Sequence, residues 1–262
     1  MRMRSMAVAM AAIAAAVAGF FFLFVQESAA QAAKIRVLAS NGVKAVMDEL
    51  LPQGERAIGR PLTIEFSTTA SIKQRIEAGE AFDVVIVTSE AIDDLIKAGK
   101  ITSGSRANLA SSGIGIGIRR GAPKPDIRTP EALKRALTNA KSLTYAEDGA
   151  SRIHIEKMLE RLGIAANVRS KTVLTQGSAR GLAAVAAGQG DLAMTLISEI
   201  LPVEGIDLAG PLPADFQNYV RFAAGIGAKA ANAEAGRALI KFLTGPTVAP
   251  SFKAKGMEPS IR

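Results

Sequence analysis

Four short polar segments of this chain have the composition of anion-holding turns: Ser40-Asn41-Gly42, Thr68-Thr69-Ala70-Ser71, Ser151-Arg152 and Gln176-Gly177-Ser178. Each follows a strand-like run and opens a stretch with helical spacing. The first turn of a helix leaves backbone N–H groups unpaired and carries a partial positive charge, so it favours an anion. Arg152 adds a guanidinium, which can hold a carboxylate in a two-pronged pair. Ser and Thr also cap helices with no ligand in view, and an arginine in a first turn can be a solvated side chain. Glu147, Asp148 and His154 bracket Ser151-Arg152. A proton shift at a substrate carbon needs one group that takes a proton and returns it, which makes Glu147 and His154 catalytic candidates. The plain alternatives are that acids beside Gly149 serve a turn and that His154 is an ordinary, partly buried helix residue.

The segments that must position these residues alternate between strand and helix. Ile35 to Ala39 reads as a buried strand, and Val43, Val46, Met47, Leu50 and Leu51 then fall at helical spacing. Pro52 is expected to kink or end that helix, with Gly59 closing the segment. Leu62 to Phe66 is the next strand, followed by a helix carrying Ile72 and Ile76. Phe82 to Val87 is an apolar run of the kind found inside a parallel sheet, and Ser89 is expected to cap the helix after it. Thr129-Pro130-Glu131 is a strong helix start. Further helices are expected from Ser151 and Ser178, a buried strand over Leu192 to Ile197, and a C-terminal helix holding Ala238, Leu239, Phe242 and Leu243. Strand then helix, repeated, predicts an α/β protein whose mixed or parallel sheet is covered on both faces. In such sheets helix starts gather at the carboxyl ends of the strands, where ligands bind.

Gly113 to Ile118 and Ala223 to Gly227 are strand-like with glycine at alternate positions. No phosphate-cradling helix follows either, so a dinucleotide fingerprint is not the reading. Close approach of other backbone explains them locally. The expectation for the whole chain is that they are two crossings between lobes. Lobe 1 would combine 33–114 with 224–262, and lobe 2 would be 115–223.

Residues 1–32 have the pattern of an export signal: Arg2 and Arg4, an apolar run from Met6 to Val25, a polar break, and Ala30-Gln31-Ala32. Cleavage there would deliver the remainder to the periplasm. A membrane anchor is the alternative for a run of this length. The chain has no cysteine, which excludes thiol chemistry and disulfides, and a single histidine, which excludes histidine-rich metal sites. No cofactor and no metal are expected. The net charge of +8 is spread along the chain, tryptophan is absent and aromatics are few. A diffuse positive field of this kind suits a small anion rather than nucleic acid.

Several stretches resemble the periplasmic molybdate-binding protein family: Val37 to Leu50, Phe66 to Gly79, Phe82-Asp83-Val84, Leu159 to Gly163, Ala184 to Asp191 and Phe242 to Pro246. The resemblance covers nearly the whole chain after residue 32. It implies a two-lobed type II periplasmic binding fold, a small anion in the interlobe cleft, and delivery to the membrane subunits of an ABC importer; a two-lobed clamp is expected to act as a monomer. That family grips a tetrahedral oxyanion with serine hydroxyls, backbone amides and a tyrosine. Gly42 stands where the first serine is expected and Leu196 where the tyrosine is expected, beside Thr195, while Arg152 replaces a small residue. These departures suit an organic carboxylate better than molybdate. One branch resembling the family, aconitate isomerase, interconverts cis- and trans-aconitate, so an isomerase is the alternative to a pure binding protein.

Overall fold

The computed structural model describes residues 34–260, and the expected export signal lies outside the described residues. Ten strands form one connected mixed sheet. The strands are β1 (Ile35–Ser40), β2 (Leu62–Ser67), β3 (Val84–Thr88), β4 (Ala107–Arg119), β5 (Leu143–Ala146), β6 (Thr172–Thr175), β7 (Leu192–Leu196), β8 (Ile206–Pro211), β9 (Tyr219–Ile226) and β10 (Met257–Pro259). Their order is β2-β1-β3-β9-β4-β7-β5-β6, with β8 and β10 also pairing β4. Pairs β1–β2, β1–β3, β5–β6 and β5–β7 are parallel, and every pairing of β4 and β9 is antiparallel.

The alternation along β3 shows why this sheet is covered on both faces. Val84 and Ile86 join one apolar cluster with Val37, Leu50 and Leu239, whereas Val85 and Val87 join another with Leu38, Ile72, Ile92 and Leu95. A strand buried on both sides must be apolar at every position.

The helices that matter to the site are α1 (Lys44–Ile58), α2 (Thr69–Glu77), α3 (Ser89–Lys97), α4 (Pro130–Asn139), α5 (Arg152–Arg161), α6 (Ala165–Arg169), α7 (Ser178–Ala186), α8 (Ile197–Ile200) and α9 (Ala233–Leu243). Two local expectations are corrected. Helix α1 does not end at Pro52 but runs on to Ile58, where Gly59 closes it as the left-handed C-cap. Pro52 is on the exposed side of the helix, and the buried Val46, Met47, Leu50 and Gly54 hold the segment against the core. Packing of one apolar face outweighs a single missing N–H. The cap of α3 is Thr88, whose hydroxyl accepts from the Ala91 N–H, so Ser89 is the first helical residue and not the cap.

Strand β4 changes partners part-way along. Its residues through Gly113 pair with β9 and β10, and from Ile114 onward it pairs with β7 and β8. The chain passes back between Pro211, the end of β8, and Tyr219, the start of β9. Ala223 to Ile226 therefore lie inside the first group of strands, several residues after that passage. The alternate glycines serve close approach. A Cβ on Gly115 would sit 2.9 Å from both Ile197 and Leu208, and one on Gly225 would sit 2.8 Å from Ile101.

Candidate functional site

Register alone aligns the polar segments in two rows. Ser40 pairs with Ser67 and Ala39 with Ile86, so the ends of β1, β2 and β3 are level. The starts at Ser40-Asn41-Gly42, Thr68-Thr69 and Thr88-Ser89 thus share one sheet edge. Ala146 pairs with Thr175 and Thr144 with Ala193, so the ends of β5, β6 and β7 are level too. Ser151-Arg152, Gln176-Ser178 and Thr195 follow those ends. Both rows lie at the carboxyl ends of parallel strands.

In the first row, Ser40 is buried and its hydroxyl accepts from the Gly42 N–H at 3.4 Å, opening a single 3-10 turn over Asn41–Val43. The Thr68 hydroxyl accepts from the Ser71 N–H at 3.3 Å and caps α2. Ala70 is exposed and Ser71 half-buried. The buried hydroxyls of Thr69 and Ser89 have no partner within the protein. An unpaired buried hydroxyl costs about 1–3 kcal/mol, and these two donors are not committed to the fold. Ser89 is the contributor that sequence reasoning assigned only to capping.

The second row is different, because its donors are already engaged by the protein's own carboxylates. The Gly177 N–H donates to Asp148 at 2.9 Å. The Thr195 hydroxyl donates to Glu199, and Ser178 and the Leu196 backbone also favour the charged form of that carboxyl. Burial pushes the Glu199 carboxyl above the ordinary glutamate range against the pull of those donors, and the nearby Asp148 charge adds to the rise. Glu199 was missed in the sequence. Its only local signal is an acid three residues after Leu196, the spacing with which a helix N-terminus is capped from within.

Arg152 lies between neighbours of its own row. Its Nε donates to Glu156 at 2.9 Å and its Nη1 to the Glu147 carbonyl at 2.7 Å. The Glu147 side chain in turn accepts from Gln176 at 2.9 Å. Glu156 and Tyr145 line a concavity of about 300 Å³ on the side formed by α5, α6 and β6, and the Tyr145 hydroxyl is pushed up by burial, with Glu156 adding to it. His154 is half-buried, and burial lowers its pKa, with Lys157 lowering it further and Glu90 opposing. Glu90 belongs to the first turn of α3, so the α3 and α5 starts feel each other's charge.

The rows meet through α8. Ser198 is 3% exposed; its hydroxyl donates to the Gly42 carbonyl at 2.8 Å and its N–H donates to the Ser112 hydroxyl at 3.1 Å. Gly42 itself is walled in: a Cβ there would stand 2.4 Å from Phe222 Cζ and 3.1 Å from Leu196 Cδ1. Only glycine fits between that ring and that leucine. Larger concavities lie elsewhere, one of about 480 Å³ by Ser103–Ala107 and α9 and one of about 610 Å³ by Lys124–Arg128 and Ala209–Ala214. Neither includes any of the helix starts. Among the described residues no three Asp, Glu or His side chains gather as a metal site.

Residues 35–258 match the family of bacterial extracellular solute-binding proteins. The chain is 31% identical to an aconitate isomerase of a Pseudomonas species, over 86% of this chain and 87% of that one. It is 26% identical to the molybdate-binding protein ModA of Azotobacter vinelandii, over 87% and 91%. In fold it is similar to the solved periplasmic molybdate-binding protein of Azotobacter vinelandii, with a TM-score of 0.73 at 16% identity over 85% of this chain and 98% of that one.

Proposed function

This chain belongs to the bacterial extracellular solute-binding proteins, and from that premise we propose that it holds a small organic polycarboxylate between two lobes. The lobes are the two strand groups on either side of the partner change in β4, and the ligand lies between the two rows of helix starts. The observation that carries the choice of ligand is the wall around Gly42. Where a tetrahedral-oxyanion site of the molybdate-binding type would offer a serine, no side chain fits beside Phe222, and the expected tyrosine is the buried Leu196. Two hydroxyl donors are replaced by apolar carbon, which suits a ligand with a carbon skeleton.

The first row supplies N–H groups and the hydroxyls of Thr69 and Ser89 to one carboxylate. Arg152, with Nε and Nη1 engaged inside the protein, reaches a second carboxylate after exchanging Glu156 for the ligand. Export to the periplasm, a monomer and delivery to an ABC importer complete this reading.

A second reading is supported by the 31% identity to an aconitate isomerase. An allylic proton shift breaks a C–H bond at the methylene carbon with transfer of the proton to a protein base. The electron pair moves through the allyl system, and a proton returns to the other terminal carbon, so nothing is gained or lost. His154, whose pKa burial lowers, and Glu147 are the base candidates.

The test is a thermal-shift screen of residues 33–262 with molybdate, sulfate, citrate, cis-aconitate and trans-aconitate, followed by chromatography of the aconitate samples. A ligand that binds the folded state raises the melting temperature by mass action. Stabilisation by carboxylates without conversion supports the binding protein, and conversion supports the isomerase. Stabilisation by molybdate alone overturns both. Carboxylate binding unchanged in Arg152→Ala removes Arg152 from the site.

A further inference from the structure

In the second row, a donor held by a carboxylate of the protein is not available to an anion. A hydroxyl has one hydrogen and two lone pairs, and an ionised carboxylate only accepts. Thr195 donates to Glu199. While it does so, its hydroxyl turns only lone pairs toward anything else in the cleft, and lone pairs repel an anion. The Gly177 N–H is likewise committed to Asp148. A proton on Glu199 reverses this. The carboxyl then donates to the Thr195 hydroxyl, whose own hydrogen is released toward the ligand.

We propose that Thr195 donates to a bound anion only while Glu199 carries a proton, so that the cleft takes up a proton together with its ligand. This rests on the anion-binding reading above and deepens it: Glu199 sets the hydrogen-bond polarity of that half of the site. Its position fits the role. Glu199 follows Ser198, the residue that ties α8 to Gly42 of the first row, so it stands at the junction of the two rows.

Helix α8 packs against β4, β7, β8, the Asn41–Val43 turn, α1 and α7. The charged residues on those elements are Arg119 of β4, Asp207 of β8, Arg180 of α7, and Lys44, Asp48, Glu49, Glu55 and Arg56 of α1. The charge acting on Glu199 is none of these but Asp148, in the turn before α5, which opposes ionisation as burial does. A bound anion would oppose it further, and this is the direction that couples ligand to proton.

The experiment measures affinity for sulfate and trans-aconitate from about pH 5 to about pH 9 in wild type and Glu199→Gln. Linkage of one proton weakens binding by up to about tenfold per pH unit above the pKa of the free site. The glutamine mimics the protonated carboxyl, so its profile is expected to be flat over the part of the range where the wild type falls. Isothermal titration in buffers of different ionisation enthalpy should report proton uptake in the wild type and its loss in the variant. Parallel profiles, or no uptake by the wild type at any pH, overturn the proposal. Carbon-13 NMR of the ligand-free wild type gives an arm that needs neither ligand nor folded variant: the Glu199 carboxyl should titrate above all other glutamates. If no anion binds, the anion reading fails and the coupling with it. If anions bind and no glutamate titrates high, the coupling alone fails.

Discussion

Replacing Gly42 with serine restores the residue type that a molybdate-type site would have at that position, and the structure says that it will not work. The new Cβ would stand 2.4 Å from Phe222 Cζ and 3.1 Å from Leu196 Cδ1, where carbon atoms at their optimum are roughly 3.5–4.0 Å apart. Phe222 is fully buried and Leu196 nearly so, so neither has open space to move into. Overpacking of this kind costs about 1–3 kcal/mol, and an overlap of more than an ångström with an aromatic ring belongs at the upper end. For a chain of this size about 3 kcal/mol corresponds to a melting temperature lower by roughly 6–12 °C. The assay is thermal unfolding of wild type, Gly42→Ser, Phe222→Leu and the double variant. Trimming the ring should return part of the stability lost by the serine, a positive coupling in a double-mutant cycle. Molybdate should stabilise none of the four. A serine variant as stable as wild type would refute the packing argument, and one that gains a molybdate shift would refute the ligand argument built on it.

Two further outcomes are expected. Arg36, Glu65, Arg75 and Glu80 form a half-exposed ion-pair network across β1, β2, α2 and the loop after α2, and Arg75 foremost holds Glu65 and Glu80 below the ordinary value of 4.5. Carboxylates depressed in the folded state stabilise it above the unfolded pKa, and lose that contribution as pH falls through the folded value. Glu80→Gln should therefore cost about 1 kcal/mol or less in urea melts at neutral pH, with the difference vanishing in acid; a constant difference at all pH values would contradict this. Ser198→Ala should cost about 1–3 kcal/mol, because the buried Gly42 carbonyl loses its donor while the Ser198 N–H to Ser112 remains. Urea unfolding with an unchanged m-value is the measurement, and a neutral outcome would mean that the two rows are not joined there.

Most of the scaffold was legible from the residues because its signals are local. Val84 to Val87 are apolar without a break, which is the mark of a strand covered on both faces, and Thr129-Pro130-Glu131 starts a helix by its own chemistry. The polar helix starts were readable for the same reason: a strand end, a small polar residue and a helical period occur within a few positions of one another. Pro52 was the exception, since a local penalty was overruled by the packing of Val46, Met47, Leu50 and Gly54.

Much of what a side chain in the site does with its hydrogen was decided by residues distant in sequence. Ser198 meets Gly42 across 156 positions, and Phe222, not anything near residue 42, dictates that only glycine fits there. Asp148 takes the N–H of Gly177, so a donor that looked free in the sequence is engaged in the fold. Arg152 is held by Glu156 one turn further along its own helix, a pairing that the spacing allows but that competes with any ligand. Periodicity and capping are fixed over one or two turns of chain, so the sequence determined the strands, the helices and where the helices begin. Hydrogen-bond partners and steric walls depend on which surfaces the sheet order brings together, and that is a property of the packed structure alone.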